Sequence, residues 1–444
     1  MKLLIIDPHG DGGLDVAMRA QRDGHEVKYF LRASEKTTHI GRGFVEVIND
    51  FKGWMRWADV IFNVDNTLYL RDMQTARNEG HAGIIGPAEA SAAWELDRAV
   101  GQQVFRRQGI ATIPFKEFTD CDSALAYVKK RDQRFVSKPS DEGDKAMSYV
   151  AKSPEDMCYM IERWKKLGKL KAPFILQDFI PGIEMAVGAF HGPAGFMDGW
   201  CENWEFKKLM NNDLGVATGE QGTVVRFVKR SKLAQRVLAP LAGALAKLNY
   251  VGYIDVNCII DERGVPWPLE FTMRPGWPTY NIQLALMKGD TVEWLHALAR
   301  GKDVPDTWIF DSVAIGVVMS VPDYPYSHAT RKEVVGIPIY GIKPSLWQHV
   351  HPCHMMLGQD VPLKVKGEIV PMPQPVTAGD YVLVMTALAE TVRDAQNTVY
   401  RRLENLIVPN SPMYRTDIGR RLGKQLPQLQ SKGYAAGMVY SATS

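Results

Sequence analysis

The sequence predicts an α/β multidomain protein: a doubly wound α/β unit first, then two α+β units, then a mixed α/β unit. Three observations carry this. An apolar run at 2–7 leads through His9-Gly10-Asp11-Gly12-Gly13 into a helical pattern at 14–22 and a second strand at 26–31. Strand, Gly-rich turn, helix, strand is how a doubly wound domain begins. From 110 the pattern changes to strands at 135–138 and 174–179 alternating with helices at 122–130 and 154–167, and the segment 183–310 is rich in strands. The length, 444 residues of which 45% are hydrophobic, supplies several cores. The expected units are 1–115, 116–190, 191–310 and 311–444.

Within the first unit, strand signals recur at 59–64 and 83–85, and a long amphipathic helix is expected over 89–108, closed by Gly109. Helices follow at 232–248 and 292–299; the last unit mixes strands at 312–320 and 381–388 with helices at 392–406 and 417–426. Lys plus Arg total 53 against 50 Asp plus Glu. That balance argues against a nucleic-acid partner or a polybasic membrane anchor. No apolar stretch reaches the roughly 20 residues of a membrane span, and the start reads as a strand rather than a signal peptide. Five scattered cysteines form no disulfide framework, so a reducing cytoplasm is expected.

Three segments carry chemistry. The strand Phe135-Val136-Ser137-Lys138 delivers a lysine to a polar loop at 139–147, where it can meet phosphates as a point charge. The stretch Ile175-Leu176-Gln177-Asp178-Phe179-Ile180 breaks at Pro181-Gly182 before Glu184, which suits an adenine edge followed by ribose hydroxyls. The hairpin from Tyr253 to Met273 turns at Asp261-Glu262-Arg263-Gly264 and ends in Glu270, with Arg274 four residues on. Mg²⁺ characteristically shares one or two carboxylates with substrate phosphates, and a neighbouring arginine can stabilise developing negative charge.

In this order the segments resemble the ATP-grasp fold, and specifically the phosphoribosylamine–glycine ligase (glycinamide ribonucleotide synthetase) family. The likeness covers nearly the whole chain. Ile84-Ile85-Gly86-Pro87, Leu214 to Gly222, Ala314 to Met319, Val382 to Leu388 and Tyr414 to Gly419 track the family. The resemblance implies two α+β subdomains clamping ATP, with ATP and Mg²⁺ (or Mn²⁺) as cofactors. It places Arg98, Lys138 and Lys145 on phosphates, Gln177, Asp178, Phe179 and Ile180 at the adenine, and Glu184 on the ribose. Metal ligands would be Glu270, Thr272 and Asn257; Arg274 and Lys207 would be catalytic. Gly12, Gly13, Asp65, Glu205, Thr218, Gly219 and Trp277 would line the substrate site. The implied reaction is a ligase reaction of purine biosynthesis: ATP phosphorylates a carboxylate, and an amine displaces the phosphate. The implied partners are small-molecule amine and carboxylate substrates, on a monomer or small homo-oligomer.

The departures bear on the substrate. The family's Gly-x-Gly-Gly-Arg-Glu-His loop is here Gly10-Asp11-Gly12-Gly13-Leu14-Asp15-Val16, which loses the cation expected beside a phosphoribosyl group. The acceptor loop becomes Asn63-Val64-Asp65-Asn66-Thr67, and an acid after the arginine becomes Trp277. The expectation is retained ATP chemistry with an altered acceptor or donor pocket. A divergent ligase joining an amino acid to a modified nucleotide or other amine, and a nucleotide-binding protein without ligase activity, are the alternatives. His349, His351, Cys353 and His354 have metal-ligand spacing, but no distant fourth ligand is evident and ordinary histidines are expected. The basic stretch 420–424 is expected to be a solvated helix face.

Overall fold

A computed structural model describes residues 1–139, 148–169, 173–302, 304, 306–326, 332–409 and 411–442. The N-terminal unit is a five-stranded parallel sheet in the spatial order Val47–Ile48, Glu26–Phe30, Lys2–Ile6, Val60–Asn63, Ile84–Ile85. Alternation along the first strand explains its two covered faces: Leu3 and Ile5 enter the largest core, while Leu4 and Ile6 enter a second one behind the sheet.

The second unit has its own core. Phe115–Phe118, Phe174–Asp178, Phe135–Pro139 and Tyr149–Val150 form a four-stranded sheet backed by helices Cys121–Lys129 and Pro154–Lys166. Phe118, Phe135, Ile161 and Trp164 pack between sheet and helices, separate from the main core.

The main sheet is antiparallel along its path: Pro266–Thr272, Gly252–Ile260, Ile183–Gly192, Trp200–Glu205, Gly222–Val228, Val313–Ser320, Tyr381–Ala389, Val350–Pro352. Strand Ile183–Gly192 runs across the boundary expected at 190 and belongs wholly to this sheet. The sheet also crosses 310 without a break, because Gly222 to Val225 pair with Ala314 to Val317. The N-terminal, central and C-terminal parts therefore share one hydrophobic core, and only the 115–178 unit stands apart.

Three expected helices differ. The 89–108 helix is two, Glu89–Leu96 and Arg98–Arg107, because Asp97 leaves helical geometry and its carboxylate caps the amides of Ala99 and Val100. The 232–248 helix breaks around Pro240 into Lys232–Val237 and Ala242–Lys247, joined by a 3₁₀ turn. The last helix begins at Leu422 rather than 417.

Within the His/Cys cluster, His351 has structural partners. His351 is buried, with Nδ1 2.7 Å from Asp15 and Nε2 2.9 Å from Thr386, and Arg19 closes on Asp15 at 2.8 Å. Among the described residues, no group of three or more His, Cys, Asp or Glu side chains is arranged to hold a metal. Burial keeps His351 below its ordinary pKa despite the adjacent carboxylate. Burial would raise Asp15, yet Arg19 and His351 outweigh it and hold that carboxyl far below the usual range. This contact ties the first helix, Gly13–Arg22, to the C-terminal strands. Asp15→Asn strands Arg19 in a buried setting and is predicted to cost roughly 3 kcal/mol in urea unfolding.

Candidate active site

The sheet order fixes which side chains meet. Register pairs Glu184 with Ile259, Ala186 with Asn203 and Asn257, Asn257 with Glu270, and Asp255 with Thr272. Residues two apart share a face. Glu184, Asn203, Glu205, Asp255, Asn257, Glu270 and Thr272 therefore project from one side of the main sheet, toward the 115–178 unit. The face is hollowed at Gly188, where a Cβ would lie 2.0 Å from the Tyr253 hydroxyl and 2.6 Å from Asp255 Oδ2.

Lys207 is the hub. Its ammonium lies 3.0 Å from Glu205, 3.2 Å from Glu184 and 3.7 Å from Glu270, and these acids raise its pKa well above normal against the cost of burial. Glu270 also faces Arg98 at 3.5 Å. Burial opposes its ionisation, but Lys207, Lys138 and Arg98 outweigh that and hold it at about 2. Lys138 is pushed down to about 7, first by burial and then by Arg98, with Glu270 pulling the other way. The strand-end lysine, the hairpin carboxylate and the helix-start arginine thus meet although 172 positions separate Arg98 from Glu270.

Asn257 donates its amide to Glu205 at 2.8 Å, which leaves Asn257 Oδ1 buried and without a donor. Arg98 Nη1 is likewise buried without an acceptor. Among the described residues, five carboxylates (Glu184, Glu205, Glu220, Asp255, Glu270) gather around three cations (Arg98, Lys138, Lys207). An unsatisfied oxygen beside an acid-rich cluster suits a divalent cation, and an unsatisfied guanidinium nitrogen suits a phosphate.

Two acids escaped the sequence reading. Glu220 is buried and its pKa stands well above normal, because burial and then the charge of Glu205 disfavour ionisation. Asp255 is raised to about 7 for the same two reasons, while Tyr253 and Asn203 donate to its Oδ2 at 2.8 Å each. The signal available was the period of two in Trp200–Glu205 and Gly252–Ile260, which sets Asn203 with Glu205 and Asp255 with Asn257.

Other expected site residues are engaged elsewhere. Arg274 Nε lies 3.4 Å from Glu95, on the helix Glu89–Leu96, and donates to the Pro275 carbonyl. Asp65 accepts from the amides of Thr67 and Leu68, so it closes its own turn. Gly12 and Gly13 give their amides to Asp7, as do Gly10 and Asp11. Gln177 is buried, Asp178 accepts from Gln133 at 2.7 Å, and Phe179 lies under the Arg134 guanidinium. Thr218 donates to the Lys207 carbonyl at 2.8 Å, and Gly219 faces open space. Trp277 packs against Tyr381 with the rings tilted at 49° and covers Gly12, where a Cβ would lie 2.9 Å from the indole. Lys145 and most of the 139–147 loop lie outside the described residues. In the 420–424 stretch Arg420 and Lys424 are exposed as expected, whereas Arg421 pairs with Asp213 at 3.1 Å and donates to the Glu205 carbonyl.

Residues 97–279 match the family described as phosphoribosylglycinamide synthetase, ATP-grasp (A) domain. The phosphoribosylamine–glycine ligase of Salmonella typhimurium is 26% identical over 349 residues, covering 76% of this chain and 77% of that one. The enzyme of the same name from Haemophilus influenzae is 24% identical over 358 residues, covering 78% and 79%. Among solved structures, phosphoribosylamine–glycine ligase from Thermotoga maritima superposes with a TM-score of 0.70 at 19% identity, over 94% of this chain and all of that one. N5-carboxyaminoimidazole ribonucleotide synthetase from the same organism gives 0.58 at 15% identity, over 92% and 99%. The fold is that of the ATP-grasp proteins.

The position of Lys138 makes a measurable statement. With a pKa of about 7 it is largely neutral at pH 8 in the free protein, and arriving phosphates favour its charged form. ATP binding at pH 8 is predicted to take up close to one proton, falling toward zero at pH 6. Calorimetry in buffers of different ionisation enthalpy reads this number, and Lys138→Met removes the uptake.

Proposed function

We propose that this ATP-grasp protein is an ATP-dependent ligase that joins a carboxylate to an amine through an acyl-phosphate, releasing ADP and phosphate. One observation carries the reading: Arg98, Lys138, Lys207, Glu184 and Glu270 converge between the 115–178 unit and the main sheet. Cations set to meet phosphates beside carboxylates able to hold a divalent ion are what phosphoryl transfer to a carboxylate requires. The relatives named above are ligases of this type, and their substrates are proposals for this chain.

The residues divide the work. Arg98 and Lys138 bind the phosphates, with the unsatisfied Arg98 Nη1 ready to donate. Gln177 to Ile180 provide the adenine edge where the 115–178 unit joins the sheet, and Glu184 offers acceptors to the ribose. Glu270, Asn257 Oδ1 and Thr272 would hold Mg²⁺, which when bound neutralises phosphate charge and orients the transferring group. Lys207, fully charged, stands between that carboxylate and the acceptor side, where it screens negative charge on the transferring phosphoryl. Arg274, anchored by Glu95, sits at the far end of the same hairpin.

The carboxylate oxygen attacks the γ-phosphorus as the bond to ADP breaks. The amine nitrogen then attacks the acyl carbon, the carbon–oxygen bond to phosphate breaks with its electron pair on phosphate, and the nitrogen sheds a proton. No covalent enzyme nucleophile is required; positioning and charge neutralisation supply the catalysis.

Glu270→Gln should retain nucleotide binding yet lose Mg-dependent ADP formation by roughly a hundredfold or more, a size typical of deleting one electrostatic partner of a transition state. Lys138→Ala should abolish the thermal stabilisation given by ATP. Both are read on purified protein by coupled ADP assay and thermal shift, and near-native turnover in Glu270→Gln would place the metal elsewhere.

A further inference from the structure

Resting on the ligase reading, we propose that Glu220 is the catalytic base of the second step: its carboxylate takes a proton from the incoming ammonium group and so frees the amine to attack the acyl-phosphate.

The step needs such a group. At neutral pH an aliphatic amine arrives as an ammonium ion, which has no lone pair to attack with. The other carboxylates of the cluster have partners. Glu184, Glu205 and Glu270 each face Lys207, and Glu205 also accepts from Asn257. Asp255 takes Tyr253 and Asn203 on its Oδ2. Glu220 is 4% exposed, its Oε1 is buried without a hydrogen-bond partner, and no described residue donates to its side chain. A bare buried carboxyl costs stability, and beside a reacting centre it marks a group kept for a ligand.

Its position follows from the backbone. Thr218 donates its amide and its hydroxyl to the Lys207 carbonyl at 2.8 Å each, and Gln221 donates its amide to the Phe206 carbonyl at 2.8 Å. Glu220 lies between these two anchors and is held alongside Lys207. The Tyr381 hydroxyl donates to its carbonyl at 3.3 Å, while Gln221 Nε2 reaches Thr218 Oγ1 at 3.0 Å and the Tyr324 hydroxyl at 3.1 Å. Next to it Gly219 is exposed, and a Cβ there would meet nothing within 4 Å. The acid is fixed in place, and open space for a ligand adjoins it.

The surrounding charges suit the exchange. Glu205, Asp255 and Glu184 face Glu220 as acids, Lys207 as a cation, and Tyr324 and Tyr381 as hydroxyls. Burial and then Glu205 disfavour its ionisation, so the free protein holds it protonated at neutral pH. An ammonium ion beside it reverses this balance: the carboxyl releases its proton to water and an ion pair forms. One proton then passes from nitrogen to the carboxylate. The neutral amine attacks the acyl carbon, the carbon–oxygen bond to phosphate breaks with its electron pair on phosphate, and the second nitrogen proton leaves with that phosphate. Glu220 ends the step protonated, as it began.

Hydroxylamine is largely uncharged at pH 8 and needs no base, so a carboxylate panel with Mg-ATP and hydroxylamine identifies the donor through its hydroxamate. With that donor, ammonia, ethylamine and glycine are offered, and amides are read by mass spectrometry. Glu220→Gln keeps the side chain's size but cannot take the proton; Glu220→Ala stands in for it if thermal unfolding shows the glutamine variant misfolded. The expected result is a loss of amide formation of roughly a hundredfold or more, with hydroxamate formation lowered less than threefold. The loss should be at least tenfold smaller for 2,2,2-trifluoroethylamine, which is shaped like ethylamine and far less basic. Amide and hydroxamate falling together, amide formation unchanged, or a wild type that acylates hydroxylamine but none of the protonated amines overturns the proposal and leaves the ligase reading standing. Absence of hydroxamate from every carboxylate removes the ligase reading, and this inference with it.

Discussion

The candidate site depends on one ammonium group shared by three carboxylates. Lys207 follows directly on the strand Trp200–Glu205, while Glu184 and Glu270 arrive from strands one and three places away across the sheet. Without it, the acids of this face would repel one another in a partly buried setting, and the strands that carry them would lose their charge balance. With it, Glu270 stays ionised at neutral pH and Lys138 is left poised near 7. The charge states of Lys138 and Glu270 are thus set in part by a lysine that follows a different strand.

Part of this was legible in the sequence. Lys138 lies near the end of a largely apolar strand and Glu270 between Leu269 and Phe271 within another, and a charged residue in such a setting must find a partner or a ligand. Glu184 follows a Pro-Gly break, and Glu205 and Lys207 are spaced to share a face. The folds of the first two units were readable for a similar reason: their strands and helices alternate with clear changes of period. What could not be read was pairing at long range. Glu95 with Arg274, Arg415 with Asp213 and Asp15 with His351 each join segments more than 170 residues apart, and no local pattern announces them. The continuity of the sheet across 310 was hidden for the same reason, since nothing near Val313 reveals that its strand will pair with Gly222–Val228.

Asp7 shows that a glycine-rich turn can be filled from within. The glycines of the first loop are needed whether the amides face a bound anion or an internal carboxylate, because either partner demands close backbone approach; a Cβ at Gly13 would come within 2.9 Å of Asp7 Oδ2. Glycine spacing alone therefore cannot tell an anion site from a filled one. The deciding feature is the residue at the end of the preceding strand, whose carboxylate reaches back into the turn. Burial and the neighbouring charge of Asp11 raise the pKa of Asp7 although the amides and Tyr29 oppose this; what fills the loop is the geometry, four amides and a hydroxyl donating to one side chain. Trp277, packed at a tilt against Tyr381, shelters the same loop over Gly12. Asp7 and Trp277, 270 positions apart in sequence, thus act on one turn, the first through its amides and the second by covering Gly12.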